Sequence, residues 1–501
     1  MTANSSESRG KLRTPNALLQ LAKHSSVYAI GALLSKAASF LMLPLYTAYL
    51  SPFDYGVLDI VETTSGMIGL VAGFGMASAL GRFYFDFDAD DGRNGVVSTA
   101  IALAAISSVA VLLVTVPLSG PLVRLLFGAD VPAATLIVAF ITIALGLVVD
   151  LSSIYLRLVN RSVLFVVTSM ANLVIGISLN IFFIVALKMG VMGILYSNLI
   201  TRAVVGVPLT WWMLRQTGWR FEGPLARKML RYGMPLMPSE IASVAIGYSD
   251  RFLINGFLST ADAGIYGMAQ KLGTALHYVV TSPFLQAFLM QRFAIGREAG
   301  AQRTLADAFK YHMVILIVLS TLLSLFAAEV LLLMTAPAFH SAVSFIPMAA
   351  LAMVVLATKY HFEYGILREK KTQFHMYINT STAVLQILLN FFLIRWIGLW
   401  GAVLAGLLAY ATKSVCYLTI SQRQYPVPFE LGKFLSLLAG SAVLVAFADL
   451  TLGLTWTGFA VKCLLAVVAT VLPLALGMLT KGDLARAITL VRGKLGFPDV
   501  R

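Results

Sequence analysis

The stretch Gly95–Pro117, GVVSTAIALAAISSVAVLLVTVP, decides the fold. It contains no acidic or basic side chain. As a helix it would be about 35 Å long, and the hydrocarbon core of a bilayer is about 30 Å thick. The pattern returns in both directions. Approximate spans are 23–50, 57–80, 95–117, 133–156, 163–187, 191–214, 232–257, 262–289, 305–327, 341–366, 373–396, 400–420, 431–452 and 456–480. Fourteen such helices predict an all-α polytopic membrane protein.

Composition agrees. The chain has 501 residues, 59% of them hydrophobic and 12% charged, where a soluble domain carries about 25% charge. No segment between spans is long enough for a separate soluble domain. The first 22 residues are polar and lack the apolar core of a signal peptide, so the first helix is expected to be retained. Cys416 and Cys463 both lie in apolar stretches and read as helix-packing residues. Lys413-Ser414 lacks the glycine spacing of a Walker A loop, so ATP hydrolysis is not expected. No His/Cys ligand cluster or nucleophile elbow stands out, and no cofactor is called for.

A net charge of +14 could suggest nucleic acid, but its distribution argues otherwise. Of the 37 Lys and Arg, 27 fall in the two tails and the alternate loops on one side. The opposite loops hold only Arg124, Lys188 and Arg395. The positive-inside rule places both termini in the cytoplasm, which requires an even number of helices. The basic excess is a topology signal, and no nucleic-acid partner is expected.

The chain also repeats itself. Leu50-Ser51-Pro52-Phe53-Asp54-Tyr55-Gly56 returns 208 residues later as Leu258-Ser259-Thr260-Ala261-Asp262-Ala263-Gly264. At the same shift Gly190-x-x-Gly193 meets Gly398-x-x-Gly401, and Leu179-Asn180 meets Leu389-Asn390 at 210. Two six-helix bundles in parallel repeat are expected, followed by two extra helices. The organisation is a tail 1–22, a bundle 23–214, a linker 215–230, a bundle 231–420, two helices in 421–480 and a tail 481–501. Substrate sites of such transporters lie between the repeats.

Ionisable groups within a span cost several kcal/mol near its centre and so mark function or specific pairing. The basic ones are Lys36, Arg202, Arg251, Lys271, Lys359, Lys413 and Lys462. The acidic ones are Asp59, Glu62, Asp150, Glu240, Asp250, Glu329 and Glu363. Lys36 sits near mid-depth on a stripe with Ser25, Tyr28, Ala32 and Ser39. Glu240 and Arg251 share a face of span seven, with Asp250 adjacent. Lys271 aligns with Thr274, Tyr278 and Ser282. Three readings are structural: Asp250-Arg251 as a packing ion pair, Lys359-His361-Glu363 as a solvated inner-end cluster, and Lys462 as a snorkelling side chain. The acidic run Asp86, Asp88, Asp90 and Asp91 reads as a solvated turn. Pro44, Pro235, Pro238 and Pro283 are candidate bends.

Two stretches carry a resemblance to a family: Ser39-Phe40-Leu41-Met42-Leu43-Pro44-Leu45-Tyr46 running into Leu50–Gly56, and Tyr248-Ser249-Asp250-Arg251-Phe252-Leu253-Ile254 with Ala263-Gly264-Ile265-Tyr266. They resemble the bacterial O-antigen and exopolysaccharide flippases, the polysaccharide transporter branch of the multidrug/oligosaccharidyl-lipid/polysaccharide exporter superfamily. The resemblance implies a non-enzymatic flippase of the bacterial inner membrane. It would move undecaprenyl-pyrophosphate-linked oligosaccharide for O-antigen, capsule or exopolysaccharide synthesis, with membrane lipids and other polysaccharide assembly proteins as partners. The cations Lys36, Arg251, Lys271, Arg202 and Lys413 would then meet the pyrophosphate. A carboxylate among Glu62, Glu240 and Asp250 could bind H⁺ or Na⁺ or balance charge. The rivals are a drug/cation antiporter, which would favour carboxylates, a lipid II-type flippase, and a polysaccharide polymerase, which would need a large outward loop.

Overall fold

The computed structural model describes residues 40–480 and 482, except 297, 299, 370, 372, 452 and 454. Lys36 and its stripe, the N-terminal tail, and the C-terminal tail apart from residue 482 lie outside the described residues. Every regular element among the described residues is helical. The chain divides into two compact units, residues 1–244 and 245–501.

Unit 1 contains α1 (Leu43–Tyr49), α2 (Pro52–Ala72), α3 (Met76–Phe83), α4 (Asp90–Phe127), α5 (Ala134–Leu158), α6 (Ser162–Ile181), α7 (Gly190–Thr201), α8 (Val207–Thr217) and α9 (Gly223–Gly233). The division falls within α10 (Met237–Phe257). Unit 2 continues with α11 (Thr260–Leu276), α12 (Ser282–Ile295), α13 (Ala301–Leu325), α14 (Ala327–Met334), α15 (Ile346–Phe362), α16 (Tyr364–Arg368), α17 (Gln373–Ile397), α18 (Leu399–Gln424), α19 (Leu431–Thr451) and α20 (Trp456–Ala475).

Ten helical stretches are long and apolar enough to cross a membrane, or eleven counting α2 with the segment Met76–Asp86, bent 42° apart. The spans expected at 232–257 and 262–289 are also helical but too polar to join that set. The first expected span is described only from residue 40. The helix expected at 95–117 instead runs 38 residues, Asp90–Phe127, through Pro117 and Pro121. A membrane helix tolerates proline when nearby hydroxyls reach backbone carbonyls. Hydroxyls bond within this stretch, Thr115 Oγ1 to the Val111 carbonyl at 2.8 Å and Ser119 Oγ to that of Val116 at 2.6 Å, while the carbonyls freed by the prolines are those of Leu113 and Pro117.

Local chemistry explains the helix starts. Ser51 caps α2 by accepting from the Asp54 N–H, while the Asp54 carboxylate accepts from the Ser51 N–H at 3.0 Å. Such a reciprocal cap satisfies two orphan donors. Ser259 caps α11 through the Asp262 N–H at 3.0 Å, the same device in the repeated motif. Gly190 and Gly398, also paired by the repeat, both have positive φ, 54° and 63°.

Loops assigned to one side by their basic residues meet within each unit. In unit 1, Asp86 is ion-paired with Arg82 and Asp91 with Arg220, while Asp90 lies 3.8 Å from Arg93. The acidic run is exposed, as expected of a solvated turn, and three of its four carboxylates also lie beside arginines. In unit 2, Arg292 reaches Glu363 at 2.9 Å, and the Arg368 guanidinium lies 4.0 Å from the Tyr425 ring centroid. At the other end, Arg395 sits 4.3 Å from the rings of both Phe257 and Phe391. The unit 1 core gathers Leu80, Ile101, Leu151, Tyr155 and Met213. That of unit 2 gathers Phe309, Met313, Val354, Tyr417 and Leu437, so α19 is part of it. Lys462 on α20 does not snorkel. It pairs with Glu329 of α14 at 2.8 Å, because a buried ammonium is stabilised more by a carboxylate than by a stretched path to water.

Candidate functional site

In unit 2, α15 and α18 lie side by side. Ser414 Oγ donates to the Val355 carbonyl at 3.0 Å, which fixes their register. Lys413 precedes that contact, and Lys359 lies one turn beyond Val355. Lys413 is 4% exposed. Lys359 is half-buried, its Nζ 4.6 Å from the Tyr360 ring centroid. The two lysines flank the Val355–Ser414 contact, one on each helix. The nearby carboxylate, Glu363, is already held by Arg292, which also donates to the Tyr360 carbonyl at 3.3 Å. Among the described residues, neither Lys359 nor Lys413 has an acidic partner at ion-pair distance. Two ammonium groups so placed lack a counter-ion, and an entering anion would supply one.

Arg251 is arranged differently. Its NH1 donates to Asp250 Oδ1 at 2.7 Å and to the Gly247 carbonyl at 3.2 Å. Tyr266 Oη donates to Asp250 Oδ2 at 2.5 Å, and Gln270 Nε2 donates to Tyr266 at 2.7 Å. The guanidinium lies 5.3 Å from the ring centroids of both Tyr248 and Tyr266. Asp250 and Arg251 are both buried. The pair is a charge-balanced brace between α10 and α11.

In unit 1, Arg202 opens a widened helical turn, Arg202–Gly206, and reaches Asp150 at 3.3 Å. Gly146, one turn before Asp150 on α5, makes room: a Cβ there would sit 2.1 Å from an Arg202 guanidinium nitrogen. Asp150 also lines a cavity of about 580 Å³. The cavity is otherwise walled by Gly69, Leu70, Leu103, Leu147 and Met237, with Glu240 as its second carboxylate. It abuts the break between α2 and α3, where Phe74 and Gly75 have φ of 45° and 64°. Gly75 packs backbone to backbone on Gly233, a close approach that admits no Cβ on either. Glu62 is exposed on α2 and Lys271 half-buried on α11.

The structure thus joins Lys413 to Lys359, Arg251 to Asp250, and Arg202 to Asp150. Glu240 lines the unit 1 cavity, and Arg251 is buried in unit 2. Sequence reasoning named Lys359 but read Lys359, His361 and Glu363 as a solvated cluster; instead His361 is buried and Glu363 is held by Arg292, which leaves Lys359 without a carboxylate in contact among the described residues. No sequence signal carries that.

Residues 48–290 match the model of a family described as polysaccharide biosynthesis protein. No curated protein sequence matches the chain. Among solved structures, the lipid II flippase MurJ in an inward closed conformation is similar at a TM-score of 0.68 and 14% identity, covering 89% of this chain and 97% of that one. An inward-facing MATE family multidrug resistance transporter is similar at 0.62 and 16%, covering 78% and 94%. A MOP superfamily transporter from Pyrococcus furiosus, described with a binding pocket of reverse polarity, is similar at 0.53 and 15%, covering 80% and 95%. At these identities the likeness is one of fold.

Proposed function

We propose that this chain, a membrane transporter of the multidrug/oligosaccharidyl-lipid/polysaccharide exporter superfamily in its polysaccharide branch, flips undecaprenyl-pyrophosphate-linked oligosaccharide across the bacterial inner membrane. The observation that carries the reading is the Lys359–Lys413 pair. A pyrophosphate brings about two or more negative charges and many acceptor oxygens. It would offset both ammonium groups in surroundings where water and counter-ions are scarce. No bond is made or broken; the headgroup is bound on one side and released on the other by alternating access. Lys413 leads this assignment over Arg251, whose charge Asp250 already balances. Within unit 2, Lys271 is a further candidate cation; the Arg202 charge is offset by Asp150, and Lys36 lies outside the described residues. Coupling to H⁺ or Na⁺ belongs to the same reading, with Glu62, Glu240 and Asp250 as candidate carboxylates.

The test is export in a strain lacking the chromosomal copy, followed as surface polysaccharide. Lys413→Gln and Lys359→Gln should each lower export at unchanged membrane abundance, and their combination should abolish it. Lys413→Arg, which keeps the charge, should retain more than Lys413→Gln. Normal export by the double variant would sink the assignment. One observation favours a cation exporter instead, namely the two carboxylates in the unit 1 cavity. That reading requires the protein to protect an exporter-deficient strain against cationic dyes, with loss on Glu240→Gln.

A further inference from the structure

Two histidines in unit 2 stand apart from the lysine site. His312 on α13 and His361 near the end of α15 meet with Nδ1 of the first 2.9 Å from Nε2 of the second. They are 2% and 3% exposed. Phe284 stacks on His312 with ring centroids 4.1 Å apart. Phe288 and Phe309 close on His361 at 5.1 and 5.4 Å. Inside this aromatic box the distal nitrogens, Nε2 of His312 and Nδ1 of His361, have no hydrogen-bond partner among the described residues.

Two neutral imidazoles share one hydrogen across such a contact. The donating ring is left with a bare lone pair on its distal nitrogen. The accepting ring must carry its own proton on its distal nitrogen. Either tautomer assignment therefore leaves one buried lone pair and one buried N–H unmet, an expensive state for polar groups out of water. A proton added at the bare lone pair breaks no existing bond, and its cost is that of burying one positive charge. The result is an imidazolium donating to an imidazole, a charge-assisted bond, with aromatic faces against the cation.

We infer that His312 and His361 together bind one proton, and that its charge strengthens anion binding at Lys359 and Lys413. The second half of this inference rests on the anion-site reading above. Several charged or titratable groups surround the dyad. Arg292 of α12 faces His361, with its charge offset by Glu363 at 2.9 Å. His277, in the widened turn after α11, faces His312. Lys359 lies on the helix of His361. On the helix of His312, Lys310 is held by Asp307 at 2.8 Å. From α18, Tyr417 is bonded to His375 at 2.9 Å. At the start of α19, Lys433 is held by Glu430 at 3.1 Å. Glu363 is held by Arg292, the cation that faces His361. A proton on the dyad adds positive charge two residues from Lys359 on the same helix, which favours an anion at the lysines. Linkage makes the effect reciprocal, so anion binding should draw a proton onto the dyad.

The experiment uses the full chain purified in lipid nanodiscs, with inorganic sulfate as the probe, since sulfate stays doubly charged from pH 8 to pH 5. Wild-type affinity for sulfate should rise at least about fivefold over that range, the lower end of usual coupling. Sulfate added in weakly buffered solution should cause net proton uptake, read with an indicator dye. His361→Gln and His312→Gln should bind sulfate as wild type does at pH 8 and lose both the rise and the uptake. Lys413→Gln should bind sulfate poorly while histidine NMR signals still report protonation of the dyad. Equal sulfate affinity at all pH values, with no proton uptake by wild type, would overturn the proton site and leave the anion site standing. No sulfate binding at any pH, with the dyad still titrating, would remove the anion site instead. The wild-type measurements decide the matter even if a histidine variant fails to fold.

Discussion

At the scale of single residues, a charge in the bilayer means different things according to what stands beside it. Arg251 and Lys413 are both cations in apolar runs, but only Arg251 has an acidic neighbour in the sequence, Asp250. In the fold, Arg251 has its carboxylate one residue away and a tyrosine holding that carboxylate in place. Lys413 has neither, among the described residues. Leaving one buried charge unpaired costs about 3–5 kcal/mol, whereas removing both charges can be nearly neutral. Asp250→Ala and Arg251→Ala should each lower the thermal unfolding midpoint in detergent clearly, and the double variant should recover much of that loss. Export should follow stability if the pair is a brace. A double variant that is stable yet exports nothing would return Arg251 to the substrate.

At the scale of elements, apolar length and the repeated Leu-Ser motifs were legible, because hydropathy and capping are local properties. Element ends were less so. The apolar span was drawn to residue 117, but the helix runs on through Pro121 to Phe127. The break after α2 had no clear signature either. Gly73 and Gly75 could equally have served close helix packing. What sets their role is Gly233, 158 residues from Gly75 in the chain and in contact with it in space. A Cβ on Gly233 would lie 2.1 Å from the Phe74 carbonyl oxygen. Gly233→Ala must therefore push α9 off the break, and should lower thermal stability more than Gly223→Ala, where a Cβ meets open space. Equal effects of the two substitutions would show that the contact is not maintained in the membrane.

At the scale of the whole molecule, the membrane class followed from hydropathy, which is read along the chain. The candidate site is a property of contacts between distant segments. Val355 and Ser414 set the register of two helices, and Arg292 removes the carboxylate that the lysines would otherwise share. Orientation in the bilayer lies between these cases. Its signal is the charge asymmetry of the loops, and ion pairs join loops of the same expected side, Asp91 to Arg220 and Arg292 to Glu363. Because the positive-inside rule acts on such loops, a cytoplasm-active reporter fused at Gln216 or after Arg501 should work, and a periplasm-active one should not. Fused at Gly128, between α4 and α5, the pattern should reverse. Periplasmic activity at Gln216 would invert unit 1 and move its basic loops outward. Periplasmic activity after Arg501 alone would change the number of crossings beyond Gln216 from even to odd. The two failures are separable, and either would require a new topology before any site could be assigned to a leaflet.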